Sequence, residues 1–325
     1  MRELGTRVGQ VTRYIREHWN TTVRRAGNDA YPLLEVPYPY TVPCPTDQFQ
    51  ELFYWDTYFT NLGLLGHGET VLARGNVDDL LHLVRSVGFV PNSNTVHHLN
   101  RSQPPYLAMM VRDVYGITGD ADWLRDAYDV LRIEYDFWIS RRSKPVGLSG
   151  HLHNASRHEL LEFYDEVLVR RLGMGPASEE EKLNASHHHL AEAESGHDFT
   201  PRFHGRCAHF VPVDLNSNLY RYERELAAFS RILGMHDEHE WDARSTERLR
   251  LMRRYCWDGA AGCFTDYDFQ SDEPSGVVCA AAFWPLAWGM ATGTEAASTV
   301  RLLASLERAH GVATCADDEA ARARQ

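Results

Sequence analysis

The stretch "DLNSNLYRYERELAAFSRILG" (residues 214–234) decides the fold class. Leu215, Leu219, Tyr222, Leu226, Phe229 and Leu233 recur at spacings of four and three, which lays one apolar stripe along a helix. Gly234 then stands where a helix-ending glycine belongs. Leu124, Tyr128, Leu131, Tyr135 and Trp138 repeat the pattern. Further helices are predicted near 6–19, 56–66, 77–87, 104–116, 157–171, 239–255, 277–290 and 295–309. Gly88 should close one of them. Pro104-Pro105 can open another, because a first helical turn needs no N–H partner. Strand signals are few, with a short hairpin predicted within "CWDGAAGCFTDYDF" (256–269). "GMGPASEEEK" (173–182) reads as an exposed loop entering an acidic segment. Many helices of moderate length, with no dividing linker, predict an all-α array in one domain over 1–325, its chemistry at one rim.

The chain of 325 residues is 43% hydrophobic, enough for a large core. A net charge of -12 argues against nucleic acid or an anionic membrane as partner. No apolar run reaches membrane-spanning length, and "MRELGTRVGQ" (1–10) lacks the apolar core of a secretory signal. The six cysteines include no CxxC pair, and reduced thiols of a cytoplasmic protein are expected. The many aromatic residues can build a core or offer flat faces to sugars.

Several stretches carry chemistry. In "FYWDTYF" (53–59), Asp56 can cap a helix or accept hydrogen bonds from sugar hydroxyls, with Trp55 stacking on a ring. "GFVPNSNTVHHLNRSQPPY" (88–106) crowds Asn92, Asn94, Asn100, Arg101, Ser102 and Gln103 into one loop. A polyol needs such a mixture of donors and acceptors, although a polar loop can also satisfy its own backbone. "HNASRHELLEF" (153–163) places Arg157 and Glu159 at a helix start, where such charges are usually solvated. In "ESGHDFTPRF" (194–203), Asp198 sits between His197 and Phe199, a costly place for a carboxyl unless it is hydrogen-bonded or protonated. In "HFVPVDLNSNLYRYE" (209–223), Asp214 or Asn216 is expected to cap the long helix. His187, His188, His189 and His197 suggest a metal, yet adjacent helical histidines diverge and no HExxH frame exists, so exposed helix residues and no metal are expected. Phosphate-binding glycine loops and GxSxG are absent.

Taken in order, these stretches resemble the trehalase family of glycoside hydrolases from about residue 34 to 315. "PYPYTVP" with "FQELFYWDTYF", "VPNSNTVHHLNRSQPP", "ESGHDFTPRF" and "VPVDLNSNLYRYE" are similar to family signatures, and "WDGAAGCFTDYDF" and "HGVATC" find counterparts. The resemblance implies an (α/α)6 toroid and hydrolysis of α,α-trehalose to two glucoses with inversion, without metal or other cofactor. By the same resemblance, Asp198 is the general acid. Trp55, Asp56, Asn92, Arg101, Ser102, Gln103 and Gly196 match sugar-contacting positions, and Arg157 and Glu159 match an arginine and a glutamate of the family.

Inversion needs a protonated carboxyl beside the leaving oxygen and an ionised carboxylate activating water, roughly 6.5–9.5 Å apart. Desolvation beside His197 and Phe199 is expected to keep Asp198 protonated. Gln48 stands where the family has arginine, His158 where it has proline and His197 where it has tryptophan. The family's QWDxPxGW signature and its later glutamate base are not found before the final "CADDEAARARQ". The expectation is therefore a truncated chain, its toroid incomplete at the C-terminus, with little or no activity. Asp317, Asp318 and Glu319 are not expected to replace the base. Two alternatives stand beside this reading: another α-glycosidase on the same toroid, acting on glucosyl or mannosyl glycerates, and a sugar-binding protein that has lost turnover. Oligomeric state is left open.

Overall fold

Residues 2–25, 33–46 and 48–316 are described by the computed structural model. Asp317, Asp318 and Glu319 lie outside the described residues. The helices are α1 (Arg2–His18), α2 (Tyr54–His67), α3 (Thr70–Val87), α4 (Leu107–Thr118), α5 (Ala121–Arg141) and α6 (Arg157–Phe163). A π turn over Tyr164–Leu168 leads into α7 (Val169–Leu172). They continue with α8 (Glu179–Glu194), α9 (Val213–Leu233), α10 (Glu238–Tyr255), α11 (Trp284–Ala287), α12 (Gly293–Arg301) and α13 (Leu303–Leu306).

The predicted stripes are the faces that pack. Leu215, Leu219, Tyr222, Leu226 and Phe229 of α9 are buried, as are Leu124, Tyr128, Leu131, Tyr135 and Trp138 of α5, and the two sets share one core. Helices α2, α4 and α9 run side by side, with α3 and α5 behind them and α10 against α9. Trp241 of α10 donates its indole N–H to Tyr128 of α5 at 2.8 Å, joining the rear helices. Gly88 and Gly234 end α3 and α9 in the left-handed conformation, as predicted.

Strands are two-residue pieces that pin loops. Trp257–Asp258 pairs antiparallel with Cys263–Phe264, the predicted hairpin. Phe210–Val211, Tyr267–Asp268 and Glu273–Pro274 form a three-stranded patch. Val23–Arg24 pairs with Tyr40–Thr41, and Glu307–Arg308 with Gly311–Val312.

Four expectations change. Residues 277–290 are not one helix: a 3-10 turn over Ala280–Phe283 precedes α11, where Pro285 occupies a starting position. The predicted helix over 295–309 is divided into α12 and α13 before the final strand pair. Pro104 and Pro105 precede α4 without opening it. Tyr106 is the cap, and the N–H groups of Tyr106 and Leu107 both donate to the Tyr54 hydroxyl at 3.0 Å, so a distant side chain sets that helix start. Asp214 and Asn216 do not cap α9. Pro212 precedes the helix, Asp214 turns to Arg202, and Asn216 binds Ser149 and Arg248.

Candidate active site

Three loops meet at one buried carboxylate. Glu194, the last residue of α8, accepts from Arg142 Nη2 at 2.7 Å and Nε at 2.8 Å. It also accepts from the backbone N–H of Ser102 at 3.0 Å and of Leu152 at 3.1 Å. Both charged side chains are essentially inaccessible to water. Burial opposes the Glu194 charge, but Arg142 and the neighbouring His151 outweigh it and hold the carboxyl well below the usual carboxylate range. Glu194 thus ties the 88–106 loop and the 142–155 loop to the 194–203 segment.

A second buried pair fixes the far end of that segment. Arg202 donates to Asp214 (2.6 and 2.8 Å) and to Asp266 (two contacts of 2.8 Å), linking the segment to α9 and to the loop after the hairpin. Burial opposes the Asp214 charge, and Arg202 overcomes it, leaving this carboxyl also below its ordinary range. With both ends anchored, residues 195–201 are held as a ledge.

Gly196 brings that ledge against α2. Its φ is +72°, and an added Cβ would lie 2.5 Å from Trp55 Cζ2, a contact no side chain can make. His197 meets the Trp55 ring edge-on at 5.5 Å. Trp55 is itself held by its backbone N–H, which donates to Gln103 Oε1 at 3.1 Å at the start of α2. Burial lowers His197 to about 4, Arg202 adding to the effect, so the ring is neutral near pH 7.

Asp198 lies on this ledge, in electrostatic contact with Arg101. Burial lowers the Arg101 guanidinium to about 10, with Asp198 and Glu194 acting in the opposite sense, and its Nε is buried with no hydrogen-bond partner among the described residues. Asp198 is not enclosed by apolar neighbours as expected. Its side chain is 26% exposed, and Oδ2 accepts from Arg171 Nη1 at 3.0 Å. The flanking side chains turn elsewhere: His197 to Trp55 and Asp214, Phe199 to Phe163 and His189. Arg171 follows the π turn, and its guanidinium also covers the Phe199 ring at 4.7 Å.

Other predicted residues divide between half-buried, loop-bracing and surface positions. Asp56 is half-buried in the first turn of α2, and desolvation raises its carboxyl. Asn92 donates from Nδ2 to Ser102 O at 3.3 Å, and the Ser102 hydroxyl donates to Val90 O at 2.6 Å, so both brace the loop from within. Arg157 and Glu159 are not brought to Trp55 and Arg101 by any described contact. Arg157 is 67% exposed and pairs with Glu179, while Glu159 closes a capping box with Ser156, because both begin a surface helix whose free N–H groups need acceptors.

The histidines of α8 are not simply exposed. His188 is buried, and His187 Nδ1 lies 3.0 Å from His153 Nε2. Among the described residues, no group of three or more His, Cys, Asp or Glu is placed to hold a metal. Sequence reading missed Glu194, Arg142, Arg202, Asp266 and Arg171. The signal for Glu194 and Arg202 was present, since both lie in the stretch 194–203, but Arg142 and Asp266, which they bind, are distant in the chain.

The Trehalase family model matches residues 5–323, nearly the whole chain. The chain belongs to the trehalase family. It is 34% identical over 328 residues to a periplasmic trehalase of Xanthomonas campestris, covering 93% of this chain and 57% of that protein. Similarity to the periplasmic trehalase of Pseudomonas aeruginosa is 33% over 311 residues, covering 87% and 55%. The chain therefore spans somewhat over half the length of these curated trehalases. Among solved structures, neutral trehalase Nth1 of Saccharomyces cerevisiae matches with a TM-score of 0.75 and 28% identity, over 94% of this chain and 64% of that one. A mannosylglycerate hydrolase of Thermus thermophilus, with a TM-score of 0.56 and 21% identity over 82% of this chain and 73% of that one, shares the fold alone. The helices accordingly belong to the (α/α)6 toroid class. The two curated bacterial relatives are named periplasmic, which overturns the expected cytoplasmic location; scattered cysteines are compatible with either compartment.

Proposed function

We propose that this trehalase-family chain binds α,α-trehalose at the Trp55–Arg101–Asp198 cluster and belongs to a glycoside hydrolase acting with inversion, in one catalytic domain. The observation that supports this reading is the Gly196–Trp55 approach, which sets the indole against the segment that carries Asp198, whose charge acts on Arg101. Trp55 and Asp56 would receive a glucosyl ring and its hydroxyls. Arg101, with its unpaired buried Nε, would donate to sugar oxygens. Asn92, Ser102 and Gln103 hold that loop in place. Arg157 and Glu159 would join the site only if their surface pairs open.

Asp198 is assigned as proton donor to the leaving oxygen. The Arg171 pair must open before Oδ2 can carry that proton. Water activation requires a second carboxylate. Glu194, Asp214 and Asp266 are each bound to arginine, so none is assigned that role. The names of the relatives support a periplasmic setting. A second reading, sugar binding without turnover, is favoured by the same Arg171–Asp198 pair.

Calorimetry with trehalose and with an aminocyclitol mimic of its transition state, alongside glucose release, tests the proposal. Binding that weakens at least tenfold in Arg101→Ala supports it, and absence of binding by both ligands overturns it. Glucose release abolished by Asp198→Asn would select hydrolysis over binding alone.

A further inference from the structure

We propose that Cys279 and Cys315 are a disulfide-forming pair that staples the strand end near 311–316 to the segment behind the Asp198 ledge. Both are free thiols in this structure. They are direct partners in an antiparallel bridge. Ala280 N donates to Thr314 O and Ala316 N to Val278 O, each at 2.8 Å, so the hydrogen bonds flank the cysteines rather than join them. That makes them a non-hydrogen-bonded pair, in which opposed Cα atoms stand about 4.5 Å apart with both side chains on one face. A disulfide requires a Cα separation of roughly 4.4–6.8 Å, which this register satisfies.

Their surroundings give the bond a location and an order of assembly. Both thiols interact electrostatically with Arg202, and Cys315 also contacts the Thr200 side chain, two residues beyond Asp198. Cys279 is buried, while Cys315 is half-buried and open to attack. The Cys315 thiolate attacks an external disulfide, such as glutathione disulfide, releasing one thiol and leaving a mixed disulfide. Cys279 then loses its proton and displaces the second external thiol. Two protein thiols are oxidised and one external disulfide is reduced to two thiols. Burial raises both cysteines, so the exchange quickens as pH rises. The bond closes a long loop, the situation in which a cross-link restricts the unfolded chain most.

The full chain is incubated with glutathione disulfide, and its thiols are counted after denaturation. Non-reducing peptide mapping and a melting curve follow. Expected results are loss of two of the six thiols, a peptide linked through 279 and 315, and a melting point raised by about 5 °C that dithiothreitol reverses. Cys315→Ser and Cys279→Ser should each abolish the link and the shift, while Cys44→Ser retains both. Six surviving thiols, a link between other cysteines, or a stable glutathione adduct at Cys315 would overturn the proposal. So would a 279–315 link with no change in melting point. Should a serine variant fail to fold, the mapping of the unmodified chain decides alone.

Discussion

Replacing Glu194 by glutamine separates a structural hub from an ordinary ion pair. The carboxylate accepts from two Arg142 nitrogens and from the N–H groups of Ser102 and Leu152, and both charged side chains are shielded from water. Glutamine keeps the shape, but its amide nitrogen faces a donor wherever it points, and Arg142 is left as a buried charge without a counterion. Breaking one side of a buried pair costs about 3–5 kcal/mol. For a chain of 325 residues that lowers the melting point by roughly 4–7 °C. Thermal unfolding followed by far-UV circular dichroism measures the shift, and Arg142→Met with the double variant completes a cycle. Removing both charges should restore at least about 2 kcal/mol relative to the sum of the single changes. Because the folded carboxyl lies below its unfolded value, its contribution is present above the ordinary carboxylate pKa and lost as pH falls through the folded one. The glutamine variant should therefore show a shallower acid limb. A single-variant loss under about 1 kcal/mol, or additivity within about 0.5 kcal/mol, would refute the hub.

Three further outcomes follow from the geometry. Gly196→Ala places a Cβ against Trp55 in the left-handed region, costing about 2–5 kcal/mol in strain and crowding, and should weaken trehalose at least tenfold by calorimetry; unchanged affinity and indole fluorescence would contradict it. Tyr54→Phe removes the acceptor of two backbone N–H groups and a donor to buried Glu134, and urea unfolding should show a loss of about 2–4 kcal/mol, a value under 1 kcal/mol being inconsistent with that role. Burial lowers His153, His188 and His197 to about 4 and His98 to about 3, so between pH 4 and 6.5 the unfolded chain binds more protons; melting points should fall as pH drops through this window, and a flat profile would exclude buried neutral rings.

Local pattern and motif order made much of this protein legible before folding. The stripes of α5 and α9 follow the 3.6-residue period, and the left-handed glycines after α3 and α9 mark a conformation that other residues adopt at a cost. Gly196 and Asp198 were singled out from one short stretch. Other features have no local signature. Polar groups buried from water must be satisfied wherever a partner lies, and their partners here come from distant positions. Glu194 meets Arg142, Arg202 meets Asp266, and the Tyr54 hydroxyl starts α4 in place of Pro104 and Pro105. Arg171 on Asp198, and the surface placement of Arg157 and Glu159, likewise depend on how α6 and α7 pack. Chain order determined most of the helices and the candidate chemistry. Which charges are neutralised, and which side chains are buried or face solvent, was decided only when distant segments shared a low-dielectric interior.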